Sequence, residues 1–425
     1  MPRTSCAALL LLAACATDLP HRWTHPAFQW TTHSDFAPLL TDMMFDGERG
    51  RQIRALCRLF EVDSLRDLHV YVHDQHGAVL GADARVAGWH QDGEIHLYAS
   101  WAGSGIGIPG FGSDQRFRHE LVHALHRAAG LAPPRWLEEG PCEVLSASVV
   151  DAAGTLVLLP HADREREVRQ LRAAGRWLPA EQLLAQREGY PDDPAQLPPM
   201  YAEATAFTWF LLADTTSPSR ADLVALAQLP DDALRTRFAQ FEQQLAATTV
   251  THLFAPFVRH RGAQVREAAA AGIELAAGDD GWQLAAALLG DEASAVRRTA
   301  RIRFAYLPNA DEATRAGLQR WAESTDRNVR LAGVCALAQY GDLAAAQSFL
   351  RALHGSDDAE WCQAVLWIAL IVPSDGPEAR ALPNEIRAYS EPDCLQEYCS
   401  MLAADLERMA PRLRWDDAAR RWRLQ

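Results

Sequence analysis

The stretch Arg118-His119-Glu120-Leu121-Val122-His123-Ala124-Leu125-His126 decides how the rest of the chain is read. At 3.6 residues per turn, positions four apart lie about 40° from one another around a helix, so His119 and His123 share a face. Two imidazoles so placed can hold one Zn²⁺ at ordinary zinc–nitrogen distances. Glu120 projects beside them, where a carboxylate can take a proton from a water at the metal. Leu121, Val122 and Leu125 are apolar, which predicts that the other face of the helix is buried. His126 lies one turn beyond His123. Its rise from His119 is roughly 10 Å along a straight helix, too far to share a metal with it, and a solvated or supporting role is expected.

Working outward, the glycine-rich run Gly103 to Gly112 precedes this helix, and Ser113 or Asp114 is a good N-cap. Upstream, Leu68 to Val72 reads as a strand, and Val86 to Trp89 with Glu94 to Tyr98 reads as a hairpin around Gln91-Asp92-Gly93. Apolar spacing predicts a helix over 39–60, with Gly47 and Gly50 as its break. Downstream, helices are expected at Trp136 to Ser148, Arg164 to Ala174 and Met200 to Ala213. Strands first and paired helices afterwards make an α+β pattern.

A catalytic zinc needs a third protein ligand and an open position. Fifteen residues after His123 the chain offers carboxylates in Trp136-Leu137-Glu138-Glu139-Gly140. His-Glu-Leu-Val-His followed by Trp-Leu-Glu-Glu-Gly resembles the gluzincin metallopeptidases, and within them the bacterial peptidase MA-like family, over about residues 40 to 215. The resemblance implies a thermolysin-like zincin domain, Zn²⁺ held by His119, His123 and Glu139, and Glu120 as general base. It also implies an oxyanion donor on the later helix, for which Tyr201 is the candidate and His161 a weaker one. The strand Glu94 to Tyr98 becomes the edge that pairs with an extended substrate. The spacing to Glu139 is slightly shorter than in thermolysin-like enzymes. Pro141 fits if Glu139-Gly140 opens its helix. Glu138 and Glu143 are rival ligands, and Glu143 could instead orient a ligating histidine.

The N-terminus has Arg3, an apolar run from Ala7 to Ala14, and Leu12-Ala13-Ala14-Cys15. This resembles a bacterial lipoprotein signal: residues 1–14 would be the signal and Cys15 the lipidated residue. Ala16 after it argues against inner-membrane retention. An extracytoplasmic protein on the periplasmic side of the outer membrane, held by its lipid alone, is expected. Residues 15–38 read as an irregular leader. Cys57, Cys142, Cys335, Cys362, Cys394 and Cys399 would remain, an even number that permits disulfides in an oxidising compartment.

The 425 residues suffice for two or three domains. The net charge of −14, with no lysine and no basic run, predicts no nucleic-acid partner. No apolar run of membrane-spanning length is present.

The last third carries a repeat. Val265-Arg266, Val296-Arg297 and Val329-Arg330 recur at spacings of 31 and 33 residues, and Trp361-Cys362 follows 32 further on. Ala268, Ala300, Ala332 and Ala364 trail the anchors. The period resembles HEAT-type repeats, helix pairs that bury their apolar faces by stacking. The expected order is a metallopeptidase-like domain at 39–215, a helical connector at 216–262, a HEAT-like solenoid at 263–375 and a helical cap at 376–425. The function expected is zinc-dependent hydrolysis of a peptide or protein substrate, with the repeats available to a protein partner. The competing expectation is a non-catalytic lipid-anchored scaffold whose zinc domain is structural or degenerate. A weaker one is a zinc hydrolase acting on a non-peptide bond such as a cell-wall amide.

Overall fold

The computed structural model describes residues 21–38, 41, 45, 47–73, 88–91, 93–100, 110–111, 114–187, 189–191, 193–214, 218–275, 280–305, 311–339, 342, 344–345, 413–416 and 421–424. The signal, Cys15 and the Trp361-Cys362 anchor lie outside the described residues. The chain is α+β and divides into two compact units, Met1–Leu253 and Phe254–Gln425, at a point inside the expected connector.

The first unit is built on a sheet. Strands β1 (His21–Thr24), β2 (Thr31–Ser34), β3 (His69–His73), β4 (Gly88–Gln91) and β5 (Glu94–Ser100) lie in the order β1-β2-β3-β5-β4, and the short β6 (Gly110–Phe111) also pairs with β5. β2, β3 and β5 run parallel, while β4 is antiparallel to β5. Two expectations are corrected here. Residues 21–34 form two strands where an irregular leader was expected. Their buried positions are Thr32 and Ser34, and the adjoining Trp30 packs with Phe28, Phe45 and Phe117. β5 is paired on both sides, so the sheet edge is β4 and not Glu94 to Tyr98.

Helix α1 (Gly47–Leu59) covers most of the described residues of the expected 39–60 helix, and it starts at a left-handed Gly47, one of the two glycines expected to break it. Helix α2 (Asp114–Ala128) carries the histidines and packs against β4 and β5, burying Phe117, Leu121, Val122 and Leu125. Helix α3 (Arg135–Ala147) lies against α2. It also lies against α6, after α4 (Ala162–Ala173) and the short α5 (Ala180–Leu184); α6 spans Leu197–Leu212. At Gly140 a Cβ would stand 2.1 Å from Thr208 Oγ1 and 2.7 Å from the Ala204 carbonyl, so the two helices meet at a distance only glycine allows. Pro141 is therefore not in a first turn, as expected, but deep inside α3. An interior proline removes one helical hydrogen bond and costs about 3 kcal/mol; burial of α3 from Glu139 to Ser146 offsets that.

Helices α7 (Arg220–Ala227) and α8 (Asp231–Ala247) fall in the expected connector yet pack into this unit. Phe238 lies 5.0 Å from the Phe207 ring and 5.3 Å from Trp177. Helix α9 (Val250–Val258) crosses the boundary.

The second unit contains α10 (Ala263–Ala269), α11 (Gly281–Leu289), α12 (Ser294–Ala305), α13 (Glu312–Ala322) and α14 (Arg327–Gln339). α11 packs with α12, α13 with α14, and α12 with both α10 and α14. The repeated Val-Arg pairs have a physical explanation. Val265, Val296 and Val329 are buried in these packings. Each following arginine reaches back to the turn before its own helix: Arg266 to the carbonyls of His260 and Arg261, Arg297 to those of Asp291 and Glu292, Arg330 to that of Ser324. Carbonyls with no helical partner are thereby satisfied. Within the expected helical cap, Leu413–Asp416 and Arg421–Leu424 form instead two antiparallel strands, with Trp415 and Trp422 opposite in backbone register. The alternation of Arg and Trp there has the period of a strand.

Cys57 and Cys142 carry free thiols. Among the described residues no helix is long and apolar enough to cross a membrane.

Candidate metal centre

The helix bearing the histidines is anchored at both ends. Arg118 donates to Gln52 Oε1 on α1 at 2.7 Å and to the Ser146 carbonyl on α3 at 2.8 Å. Left-handed Gly130 ends the helical run, with Leu131 N–H on the His126 carbonyl and Gly130 N–H on that of Arg127, a Schellman closure. The chain then turns through Pro133-Pro134 into α3, whose first two turns bring Glu138 and Glu139 back to the histidines.

Three donor atoms converge. His119 Nε2 and His123 Nε2 are 3.2 Å apart, and each lies 3.4 Å from Glu139 Oε2. Ligands about 2.0–2.1 Å from a tetrahedral zinc are separated by about 3.3–3.4 Å, so this triangle has the edge lengths of such a site. Glu139 is fully buried, and its Oε2 makes no hydrogen bond. A buried, unsatisfied carboxylate oxygen facing two imidazole nitrogens fits a cation held among them. Among the described residues these three form a group able to hold a metal ion.

The rival carboxylates take other places. Glu138 Oε1 lies 3.2 Å from His123 Nδ1. A carboxylate only accepts, so Nδ1 carries the hydrogen and neutral His123 presents its lone pair at Nε2. Glu143 Oε1 lies 3.7 Å from His119 Nδ1 and is held by Arg164 at 2.9 Å. Both histidines thus face Glu139 on one side and a different carboxylate on the other.

Glu120 is buried beside them, within electrostatic reach of His119, His123 and Glu139. Burial raises its carboxyl pKa above the ordinary value, against the pull of the two histidines. Burial acts in the same sense on Glu139, yet the two imidazoles outweigh it and hold that carboxyl well below the usual range. For His123, burial disfavours the charge, but Cys142, Glu138 and Glu139 together push its pKa well above normal.

Tyr201 is half-buried on α6, its ring 6.3 Å from that of Tyr190 and 5.5 Å from the Arg164 guanidinium. Burial first, then the nearby Glu139, raises its phenol pKa. His161 is brought to Glu143, with Nε2 3.1 Å from Oε2, and caps α4. With His119, Gln115 and Arg164 it lines a cleft of about 270 Å³. Of the two roles expected for His126 the solvated one is excluded: it is buried edge-on to Phe60 at 5.0 Å.

Two residues escaped the sequence reading. Tyr190 donates to Glu139 Oε1 at 2.7 Å, and Arg135 pairs with Glu138 Oε2 at 2.7 Å. An aromatic in Gly189-Tyr190-Pro191 gives only a turn signal. The i, i+3 spacing of Arg135 and Glu138 was visible but says nothing about a metal.

Comparison with family models, with curated proteins and with solved structures finds no match to this chain.

Proposed function

We propose that the chain is a zinc-dependent metallopeptidase of thermolysin-like architecture, held outside the cytoplasm by a lipid on Cys15, with a HEAT-like second unit that receives a protein partner. The observation that carries the enzymatic reading is the triangle of His119 Nε2, His123 Nε2 and Glu139 Oε2, with Oε2 buried and otherwise unsatisfied. Two imidazoles and one carboxylate are a donor set that suits zinc and leaves a coordination position open. Bound there, zinc would supply Lewis-acid polarisation of a carbonyl and acidification of a water.

Glu120 stands on the same helix face as the two imidazoles. Its carboxylate takes the proton of the attacking water and delivers it to the leaving amine. Tyr201 offers a phenol O–H for the charge that develops on the carbonyl oxygen. Among the described strands β4 is paired on one side only, and α2 packs against it, so an extended peptide adding to that edge would lie along the histidine helix. The paired helices of the second unit, with their repeated Val-Arg anchors, support the solenoid reading.

The test is metal content and hydrolysis together. Purified protein should hold stoichiometric zinc, and His119→Ala should lose it. Glu120→Gln should keep the zinc and lose about 10²–10⁴-fold in peptide cleavage. Folded protein that takes up no zinc after reconstitution would sink the peptidase reading. Zinc retained with cleavage indifferent to Glu120→Gln, or absent on every peptide tried, would favour the scaffold.

A further inference from the structure

The zinc reading leaves unexplained how a buried carboxylate with two equivalent oxygens comes to present only one of them to the histidines. The answer lies in the segment after α5. Helix α3 starts just after Pro134, which offers no side-chain cap. Its first N–H groups are met instead by main-chain carbonyls, Arg135 N–H by Arg187 at 3.1 Å and Trp136 N–H by Gln186 at 3.3 Å. Residues 186 and 187 are thereby fixed over the first turn of α3, three residues before Tyr190.

Tyr190 then returns to the centre. Its hydroxyl donates to Glu139 Oε1 at 2.7 Å, the oxygen turned away from the histidines. The Arg135 guanidinium lies 4.7 Å from the Tyr190 ring centroid, while its Nη1 pairs with Glu138 Oε2 at 2.7 Å and approaches Glu139 Oε1 at 3.6 Å. One cation thus ties the tyrosine to both carboxylates of the motif. Tyr190 is 47% exposed, so apolar burial does not account for its position. The hydroxyl and the cation–π contact do.

We propose that Tyr190 is a positioning residue of the metal centre. With Oε1 occupied by the phenol, rotation of the Glu139 carboxylate is arrested and Oε2 is left aimed at His119 and His123 before any ion arrives. The proposal rests on the zinc reading of the site, and it assigns to Tyr190, behind the backbone of Gln186 and Arg187, the task of preorganising the third ligand.

Tyr190→Phe removes one hydroxyl from a half-exposed ring and keeps the stacking on Arg135. Zinc affinity, measured on the full chain by competition with a chromophoric chelator, should fall about 10–100-fold, the usual effect of removing a partner of a metal ligand. The visible spectrum of the cobalt(II)-substituted protein should change, and the stability of the metal-free protein should fall by less than the loss in binding. Parental affinity and spectrum in the variant would overturn the proposal. So would a loss of metal-free stability equal to the loss in binding, since Tyr190 would then serve the fold alone. A parent protein that binds no zinc would instead overturn the site reading on which this rests.

Discussion

On α2, His119 and His123 meet a carboxylate near each ring nitrogen, whereas on the sheet His33, His69, His73 and His96 chiefly meet one another. His33 Nε2 lies 3.1 Å from His69 Nδ1, and His73 Nε2 lies 3.2 Å from His96 Nδ1. The cross-strand register sets His33 and His96 on either side of Tyr71, with ring centroids 4.4 Å away in both cases. Among the described residues Glu94 is the carboxylate shown beside them; it accepts from Tyr71 and lies 3.4 Å from His96 Nε2. Nitrogen–nitrogen distances are alike in the two places, so proximity of imidazoles does not distinguish them. Anionic oxygen does. Burial lowers the pKa of His123, yet Cys142 together with the Glu138 and Glu139 carboxylates raises it well above normal, while burial followed by neighbouring histidines lowers that of His33 to about 4 and that of His96 to about 3. Where carboxylates surround it a histidine pair attracts positive charge, and where imidazoles surround it the pair repels it.

The sharpest way to break this comparison is Glu139→Gln. The amide has nearly the same shape and no charge, and zinc affinity should fall by more than about 100-fold, beyond the range seen for partners behind a ligand. Chelator competition reads it. Retained zinc that disappears only when His73 and His96 are replaced would move the metal to the sheet and reverse the argument. Glu138→Gln is milder. It keeps an acceptor oxygen for His123 Nδ1 but removes the charge that makes Nε2 a better donor, and about 10-fold weaker binding is expected. An unchanged affinity would reduce Glu138 to a surface partner of Arg135.

The sequence could carry the first region further than the second. His119, Glu120 and His123 are legible because spacing along one helix fixes their relative angle. Which of Glu138, Glu139 and Glu143 faces inward depends on how α3 is rotated against α2, and that follows from the glycine contact at Thr208, not from local pattern. The family resemblance picked Glu139, and the geometry of this chain brings that residue to the histidines. Tyr190 arrives across 51 residues of chain, by a turn whose carbonyls cap a helix that lacks a capping side chain. No periodicity records such a contact. β2 went unseen because its buried positions are Thr32 and Ser34, which a hydropathy pattern counts as exterior. Strand order, and with it the identity of the edge, is not a local property at all. In the second unit the spacing of Val and Arg was plain, while the reason for the arginine, a carbonyl six residues back, needed three-dimensional coordinates.

The smallest expected effect concerns the histidines of the sheet themselves. A histidine whose pKa is depressed by folding binds fewer protons folded than unfolded, so stability falls as protons are added. For His96 the stabilisation is complete above pH about 6.5, the unfolded value, and is lost progressively as the pH falls toward about 3. The linkage limits the loss from this one group between pH 7 and pH 5 to at most about 2 kcal/mol. His123 shifts in the opposite sense, so the metal-free parent alone would mix the two regions. The difference between parent and His96→Gln isolates the sheet, because the α2 contribution cancels. Urea unfolding at pH 7 and pH 5 on zinc-free protein should show a smaller acid loss in His96→Gln. An equal acid loss in both proteins would mean that His96 takes up its proton without strain, with Glu94 sufficing as counter-charge, and the contrast between carboxylate-rich and imidazole-rich surroundings would fail at its second member.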